Sequence, residues 1–314
     1  MGFCMDQAQQ LRNIIKNQSM PQRPLARIIT VTSGKGGVGK SNVAINLAVQ
    51  FRKMGKRVII LDADFGLANI EIMFGTIPKH NLSDLIYQGK NIKDIITWGP
   101  EGVGFISGGS GISGMYNLSR DYLVYIIVNL AELDAIADII IIDTGAGISS
   151  AVMEFLVASG EIILVTTPEP TSITDSYSLL KALNQSPRFS RDNTKVKVVS
   201  NRVSSDDEGQ QLFNKLNAVV ARYLKLPLTY MGAIPQDQML ARSVMQQSPV
   251  SLQYPNAKSV KAFENIAGQL MHPGEAMEVK QRGMAAFFSH IITGRKLSSA
   301  QPQNNTAPTT TVQN

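Results

Sequence analysis

Short apolar runs alternate with longer helical segments through most of the chain. The runs are rich in valine, isoleucine and leucine and have the length of buried strands. Such alternation is typical of parallel βαβ units with right-handed crossovers. The sequence therefore predicts an α/β fold with a doubly wound, mostly parallel sheet. The predicted strands are 28–32, 57–61, 102–107, 139–142, 161–166, 196–201 and 228–234.

The pattern changes at both ends of the chain. Residues 5–18 have the spacing of a short helix with Asp6 as its N-cap, and a proline-containing linker follows. A helical pattern spans 275–292, and beyond it glutamine, asparagine, threonine and proline dominate, which cannot form a packed core. We therefore predict an N-terminal helix and linker over 1–24, a core domain over 25–272, an amphipathic helix over 273–297 and a disordered tail over 298–314.

A glycine-rich loop follows the first predicted strand and precedes a helix. Its glycines allow backbone N–H groups to surround a phosphate, and the positive end of the helix points at the same place. Lys40 would reach the β- and γ-phosphates, and Ser41 would bind Mg²⁺. The flanking strand and helix disfavour the alternative, a turn that binds nothing. The predicted phosphate-binding residues are Gly34, Lys35, Gly36, Gly37, Val38, Gly39, Lys40 and Ser41.

Aspartates end two of the other predicted strands. Asp62 and Asp64 follow strand 57–61, and Asp143 follows the four isoleucines 139–142. Carboxyl ends of parallel strands meet at one edge of the sheet, where open α/β folds bind ligands. Asp143 is predicted to hold Mg²⁺ through water, as in a Walker B motif, and Ser41 is predicted to bind the same ion. Asp62 and Asp64 have the alternative of solvating a turn.

The loop carries one lysine more than phosphate binding needs. Lys35, together with the loop through Lys40 and Ser41, resembles the deviant Walker A motif of the MinD/ParA family of P-loop ATPases. The resemblance implies an ATP-dependent homodimer in which Lys35 reaches the partner's ATP. It also implies that Asp64 orients the attacking water, with Asn69 in support. The alternative for Lys35 is a solvated loop lysine.

Two further strand ends resemble the positions at which this family recognises adenine. They are Asn201-Arg202 and Pro235. An amide can pair with the edge of adenine, and proline can pack against its ring. Asn201 has the alternative of being an ordinary turn residue at a strand end. The choice of ATP over GTP therefore rests on the resemblance.

Composition narrows the class of partners. The net charge of +6 favours an anionic partner, either nucleic acid or a lipid surface, without choosing between them.

A single cysteine, Cys4, excludes an internal disulfide framework and a cysteine-bound iron–sulfur cluster. We find no apolar run of membrane-spanning length and no signal-peptide pattern. We therefore expect a cytoplasmic protein.

The predicted C-terminal helix carries an apolar stripe. Its members are Met284, Phe287, Phe288, Ile291 and Ile292, with basic residues just beyond. Such a helix suits a membrane interface, and MinD ends in a similar membrane-targeting helix. The alternative is a helix docked on the core. Both interpretations hold if the helix is docked without ATP and released in the dimer. The protein would then be reversibly peripheral on the inner face of the membrane.

The N-terminal helix matches a second pattern. Asp6-Gln7-Ala8-Gln9-Gln10-Leu11-Arg12 is similar to the DQAxxLR pattern of the FlhG (YlxH) flagellar-number regulators, which are MinD-type ATPases. The resemblance implies that this helix stimulates the GTPase FlhF, with Gln7 inserted toward its catalytic water. The predicted contacts are Asp6, Gln7, Ala8, Leu11 and Arg12. The alternative is an arm that packs on its own domain.

Taken together, these resemblances imply a switch ATPase, converting ATP to ADP, that dimerises with ATP, associates with the membrane and controls flagellar number and placement. FlhF and a protein of the flagellar cytoplasmic ring are the implied partners. The rivals are a ParA-like ATPase that positions DNA or cargo and a MinD-like division-site regulator. A small-molecule kinase would need an acceptor site that we do not find. The two termini favour flagellar and membrane partners over nucleic acid.

Overall fold

The computed structural model describes residues 25–64, 69–109, 120–272 and 283–298. The side chains of residues 120–124 and 292–298 are also outside the description. The predicted N-terminal helix, its contact residues Asp6, Gln7, Ala8, Leu11 and Arg12, and the predicted tail from residue 299 onward lie outside these ranges. The predicted division of the chain into segments therefore stays a prediction.

The described residues form one sheet whose strand order is β3-β4-β2-β5-β1-β6-β7-β8. All neighbours pair in parallel except β3 and β4. The doubly wound, mostly parallel fold is thus confirmed, and each predicted strand is present with its bounds shifted by a few residues. The strands are β1 (Arg27–Thr32), β2 (Val58–Ala63), β3 (Thr97–Trp98), β4 (Gly104–Ile106), β5 (Ile139–Thr144), β6 (Glu161–Thr166), β7 (Lys195–Val203) and β8 (Leu228–Pro235).

The short edge strand β3 was not predicted. Its two residues pair antiparallel with β4. Two residues are too few to display the alternation by which a strand is recognised in a sequence.

Helices cover both faces of the sheet. Within the described ranges they are α1 (Lys40–Lys53), α2 (Asn69–Phe74), α3 (Leu82–Gln88), α4 (Ile92–Ile95), α5 (Arg120–Ala131), α6 (Leu133–Ile136), α7 (Ser150–Ala158), α8 (Pro170–Gln185), α9 (Asp206–Leu224), α10 (Gln238–Met245), α11 (Val250–Gln253), α12 (Lys258–Met271) and α13 (Gly283–Ser298), with a 3-10 turn at Pro100–Gly102.

Both faces of the central strands are buried. Alternate residues of β6 divide between them: Ile163 packs with α1 and α12 on one face, and Ile162 packs with α8 and α9 on the other. All six residues of β5 are buried for the same reason, which explains its run of isoleucines. This packing fixes the carboxyl ends of β1, β2 and β5 side by side at one edge of the sheet.

Helix α13 is docked on the core. Met284, Phe287, Phe288 and Ile291 are buried, and the rings of Phe287 and Phe288 lie 6.1 and 6.4 Å from that of Phe155 on α7. The apolar stripe predicted to contact a membrane is therefore covered by protein here, except that the side chain of Ile292 is not described. The helix runs to Ser298, one residue beyond the predicted helical segment 273–297 and into the first residue of the predicted tail.

Two contacts hold α13, one at its first turn and one near its middle. The Asp134 carboxylate on α6 accepts hydrogen bonds from the Met284 N–H at 3.1 Å. Arg188 donates to the carbonyl of His290 and pairs with Glu154 of α7 at 2.7 Å. Across the described ranges, α13 included, we find no helix with the length and apolar character needed to cross a bilayer.

Candidate nucleotide-binding site

The glycine-rich loop has the backbone that its sequence predicts. Gly37 and Gly39 adopt positive φ angles of 76° and 96°, which favour glycine. Gly34 is required for a different reason, because a Cβ there would lie 2.2 Å from the backbone of Asp175 on α8. Helix α1 begins directly after Gly39 without a side-chain cap, so its first N–H groups are available to an anion.

Lys40, Ser41 and Asp143 meet below this loop. Both carboxylate oxygens of Asp143 are buried, and neither meets a described hydrogen-bond donor at normal geometry. Burial raises the pKa of Asp143 to about 6, with the charge of Lys40 and the hydroxyl of Ser41 acting in the opposite direction. A buried carboxylate and a hydroxyl are hard oxygen donors of the kind that Mg²⁺ prefers. These residues therefore fit the predicted metal.

Asp62 is a site residue to which sequence reasoning gave no role. The β2–β5 register places Asp62 opposite Asp143. Burial, followed by the charge of Asp143, raises the pKa of Asp62 to about 7. Its carboxylate accepts hydrogen bonds from the N–H groups of Asp64 at 3.1 Å and Ile70 at 3.5 Å. Asp62 therefore shapes the loop that carries Asp64, and its position at a buried strand end was the available signal.

Asp64 and Asn69 lie together at the same edge. The Asn69 amide donates to Asp64 Oδ2 at 3.2 Å. A Cβ on Gly145, just after β5, would lie 3.2 Å from Asp64 Oδ1. The Gly147 N–H in turn donates to the Ser33 carbonyl of the phosphate loop at 2.9 Å. The loop after β5 thus contacts both the loop after β2 and the phosphate loop after β1.

Lys35 is held within its own chain. Its ammonium lies 2.7 Å from Glu169 Oε2 and 2.9 Å from Thr171 Oγ1, at the start of α8. The hydrogen bond and charge of Lys35 hold the pKa of Glu169 below its usual value. Lys35 is therefore oriented toward α8, unlike the buried Lys40. Glu169 and Thr171 were missed because nothing in the sequence links them to the loop.

Asn201 contacts the phosphate loop. It is buried, its amide donates to the Val38 carbonyl at 2.7 Å, and its oxygen accepts from the Arg202 N–H at 2.9 Å. A Cβ on Gly39 would lie 2.5 Å from the Asn201 amide. Asn201 therefore braces the loop in this structure. Arg202 is exposed and Pro235 ends β8 half-buried. Adenine contact by these residues stays a prediction.

Known proteins are similar to this chain in sequence and in fold. The sequence profile of the CobQ/CobB/MinD/ParA nucleotide binding domain matches residues 29–250, which is more than half of the chain. The chain belongs to this family. The predicted resemblance to MinD/ParA proteins is thereby confirmed, together with the nucleotide-binding domain.

Two curated relatives are similar to this chain over almost their whole length. Antiactivator FleN of Pseudomonas aeruginosa is 37% identical, and the alignment covers 85% of this chain and 95% of FleN. Flagellum site-determining protein YlxH of Helicobacter pylori is 32% identical, with 91% of this chain and 98% of YlxH covered. The predicted likeness to FlhG-type MinD/ParA ATPases is therefore confirmed.

The fold is that of solved MinD structures. MinD of Pyrococcus horikoshii, described as complexed with Mg-ADP, matches with a TM-score of 0.62 and 22% identity over 80% of this chain and 98% of that one. At this identity the likeness establishes the fold alone. The family match and the relatives identify the chain as a MinD/ParA-type ATPase, for which ATP and Mg²⁺ are the predicted cofactors.

Proposed function

We propose that the protein is an ATP-dependent switch that regulates flagellar number and placement. The observation that carries this proposal is the match to FleN and YlxH, an antiactivator and a flagellum site-determining protein, over at least 95% of each relative. MinD proteins also match this chain, at 27–32% identity. A MinD-like role in choosing the division site is therefore the second candidate.

The site residues divide the work of phosphoryl transfer to water. The loop N–H groups and Lys40 bind the phosphates, while Ser41 and Asp143 would hold Mg²⁺, Asp143 through water. When bound, Mg²⁺ neutralises charge on the β- and γ-phosphate oxygens. Asp64 orients the attacking water, and Asn69 and Asp62 hold Asp64 in place. Asn201 braces the phosphate loop through the Val38 carbonyl, and the predicted contribution of Arg202 and Pro235 is to hold the adenine ring.

The dimer completes this site. Lys35 must leave Glu169 and Thr171 before it can reach the phosphates of a partner subunit, so the single chain restrains the residue on which dimerisation depends. The phosphate loop also contacts the loop that follows β5, through the hydrogen bond from Gly147 to Ser33. We expect a change at the γ-phosphate to reach the surface around Lys35 and α8 through this contact.

Membrane association is assigned to α13. Its apolar stripe, Met284, Phe287, Phe288, Ile291 and Ile292, would have to leave the core before it could enter a lipid interface. The contacts of Asp134 with the first turn and of Arg188 with the middle of the docked helix oppose this release. We expect ATP-dependent dimerisation to favour the released helix. The protein is then reversibly peripheral on the membrane.

The first experiment tests the flagellar role in the host. Deleting the gene should change the number or position of flagella counted by electron microscopy. The wild-type gene should restore the normal pattern, and Asp64→Ala or Lys40→Ala should not. Normal flagellation in the deletion strain would contradict the proposal. If the deletion strain formed minicells or misplaced septa, the second candidate, a role in choosing the division site, would be favoured.

The second experiment tests the GTPase partner. The N-terminal pattern implies that purified FlhF hydrolyses GTP faster when the wild-type protein is added. Gln7→Ala and removal of residues 1–20 should abolish the stimulation. Gln10→Ala, at a variable position of the same pattern, is the matched control and should retain it. If the wild-type protein had no effect on GTP hydrolysis by FlhF, the proposed role of Gln7 and its neighbours would be wrong. The assignment of the chain as an ATPase would be unaffected.

A further inference from the structure

The outer edge of β8 opens into a groove. Its volume is about 640 Å³, within the range of pockets that hold small ligands. No described strand pairs with this edge, because β8 is the last strand of the sheet. Residues of the strand form the floor of the groove. The floor residues are Tyr230, Met231, Gly232, Ala233 and Pro235.

Two helices of opposite charge form the walls. The first turn of α9 lines one wall with Asp206 and Asp207, and α12 lines the other with Lys258 and Lys261. Helix α9 packs with α8 on one face of the sheet, and α12 packs with α1 on the other. The acidic wall therefore lies over one face of the open edge and the basic wall over the opposite face.

These four charges are free to meet a ligand. All four residues are exposed, and none forms an ion pair with another described residue. The two walls thus do not neutralise each other across the groove. A bound segment that pairs with both walls would gain charge complementarity that the free protein lacks.

We propose that this groove binds an extended segment of a partner protein, which adds to β8 as a further strand. Successive side chains of a strand point to opposite faces of the sheet. A segment in which basic and acidic residues alternate would therefore direct its basic side chains to Asp206 and Asp207 and its acidic ones to Lys258 and Lys261. Main-chain hydrogen bonds supply affinity in this binding mode, and alternate side chains supply specificity.

The geometry of β8 limits the length of the paired segment. Met231 is an extra residue between Tyr230 and Gly232, which pair with neighbouring residues of β7. Such a bulge twists an edge away from indiscriminate pairing. Pro235 has no N–H group and ends the ladder. The paired segment is therefore short, and recognition depends on the charged walls.

The test uses the full-length protein and two synthetic peptides of the same composition. One is a capped peptide of about eight residues, a common strand length, in which lysine and glutamate alternate strictly. The other has the same residues in the order lysine-lysine-glutamate-glutamate, which places both charges on both faces. The alternating peptide should shift the backbone amide resonances of Tyr230–Ala233 and slow their hydrogen exchange. The reordered peptide should bind about tenfold more weakly.

Charge reversal supplies the matched control. Lys258→Glu with Lys261→Glu should abolish the effect of the alternating peptide. Lys79→Glu with Lys93→Glu changes the net charge equally at exposed positions away from the groove, and should leave the effect unchanged. Three results would each overturn the proposal: no shift in β8, equal binding of the two peptides, or shifts at the charged walls without slower exchange of the β8 amides.

Discussion

Single residues in this site serve the fold and the ligand at once. Asn201 was predicted to contact adenine, but its amide donates a hydrogen bond to the Val38 carbonyl of the phosphate loop. Asp143 is a buried carboxylate whose oxygens lack described donors, an arrangement that favours a bound cation over stability of the free protein. Both residues therefore yield predictions that separate a structural effect from a ligand effect.

Asn201→Ala should lower the affinity for ATP and for GTP by the same factor, about tenfold. The reason is that the variant leaves the buried Val38 carbonyl without its partner and loosens the loop that binds the phosphates of either nucleotide. Isothermal titration calorimetry measures both affinities. A loss confined to ATP would indicate a base contact in place of the bracing role.

Asp62→Asn should stabilise the nucleotide-free protein at pH 8. Burial raises the pKa of Asp62 from 3.8 to about 7, so between these values the folded protein holds a proton that the unfolded chain has released. The stability that this proton provides is therefore lost as the pH rises through about 7. Thermal unfolding should give a higher midpoint for the variant at pH 8 and a smaller difference at pH 5. An equal difference at both pH values would contradict this account.

At the scale of elements, the docking of α13 is the contact on which the proposed switch depends. The aromatic side chains of the helix pack against Phe155, and Arg188 joins the helix to Glu154 of α7. The same apolar stripe cannot contact the core and a membrane at once. Weakening the docked state from outside the helix therefore tests the switch without altering the surface that would enter the lipid.

Arg188→Ala should increase binding to anionic lipid vesicles in the absence of ATP by about tenfold. Loss of a charged hydrogen bond weakens the docked state by roughly this factor, and the membrane stripe itself is unchanged. Vesicle sedimentation measures the bound fraction. Arg191→Ala is the control, because the described contact of Arg191 is with Asn184 on α8 and not with α13. Equal binding by both variants and the wild type would argue against the docked helix as a restraint.

At the scale of the whole molecule, the two loop lysines have separate tasks. Lys40 is buried beside Asp143, and Lys35 lies against α8 with Glu169. Their positions in one loop do not reveal this difference. The tertiary structure assigns Lys40 to its own nucleotide and leaves Lys35 available to a partner subunit.

Lys35→Ala should therefore bind ATP about as tightly as the wild type but fail to dimerise with it. Lys40→Ala should lose both properties, because it removes the charge that contacts the phosphates of its own subunit. Nucleotide affinity by calorimetry and mass by light scattering separate the two variants. Dimer formation by Lys35→Ala with ATP would contradict the role proposed for this residue.

The positions of seven strands along the chain, the phosphate loop and the carboxylates at strand ends could be predicted, because each is a local pattern. Isoleucine runs such as 139–142 indicate a strand that is buried on both faces, and glycines such as Gly39 indicate a positive φ angle. The edge strand β3 and the role of Asp62 could not be predicted. The first is too short for a pattern, and the second depends on the register between β2 and β5.

The sequence by itself determined the fold class, the nucleotide loop and the resemblance to MinD/ParA ATPases, because hydrophobic periodicity and glycine placement act over a few residues. Only the tertiary structure decided which groups meet across the chain. Lys35 pairs with a residue 134 positions away, and Asn201 contacts Val38 across 163 positions. The apolar stripe of α13 could equally face lipid or protein. Its burial depends on the complementary surface of α7, which is formed only when the sheet and its helices pack together.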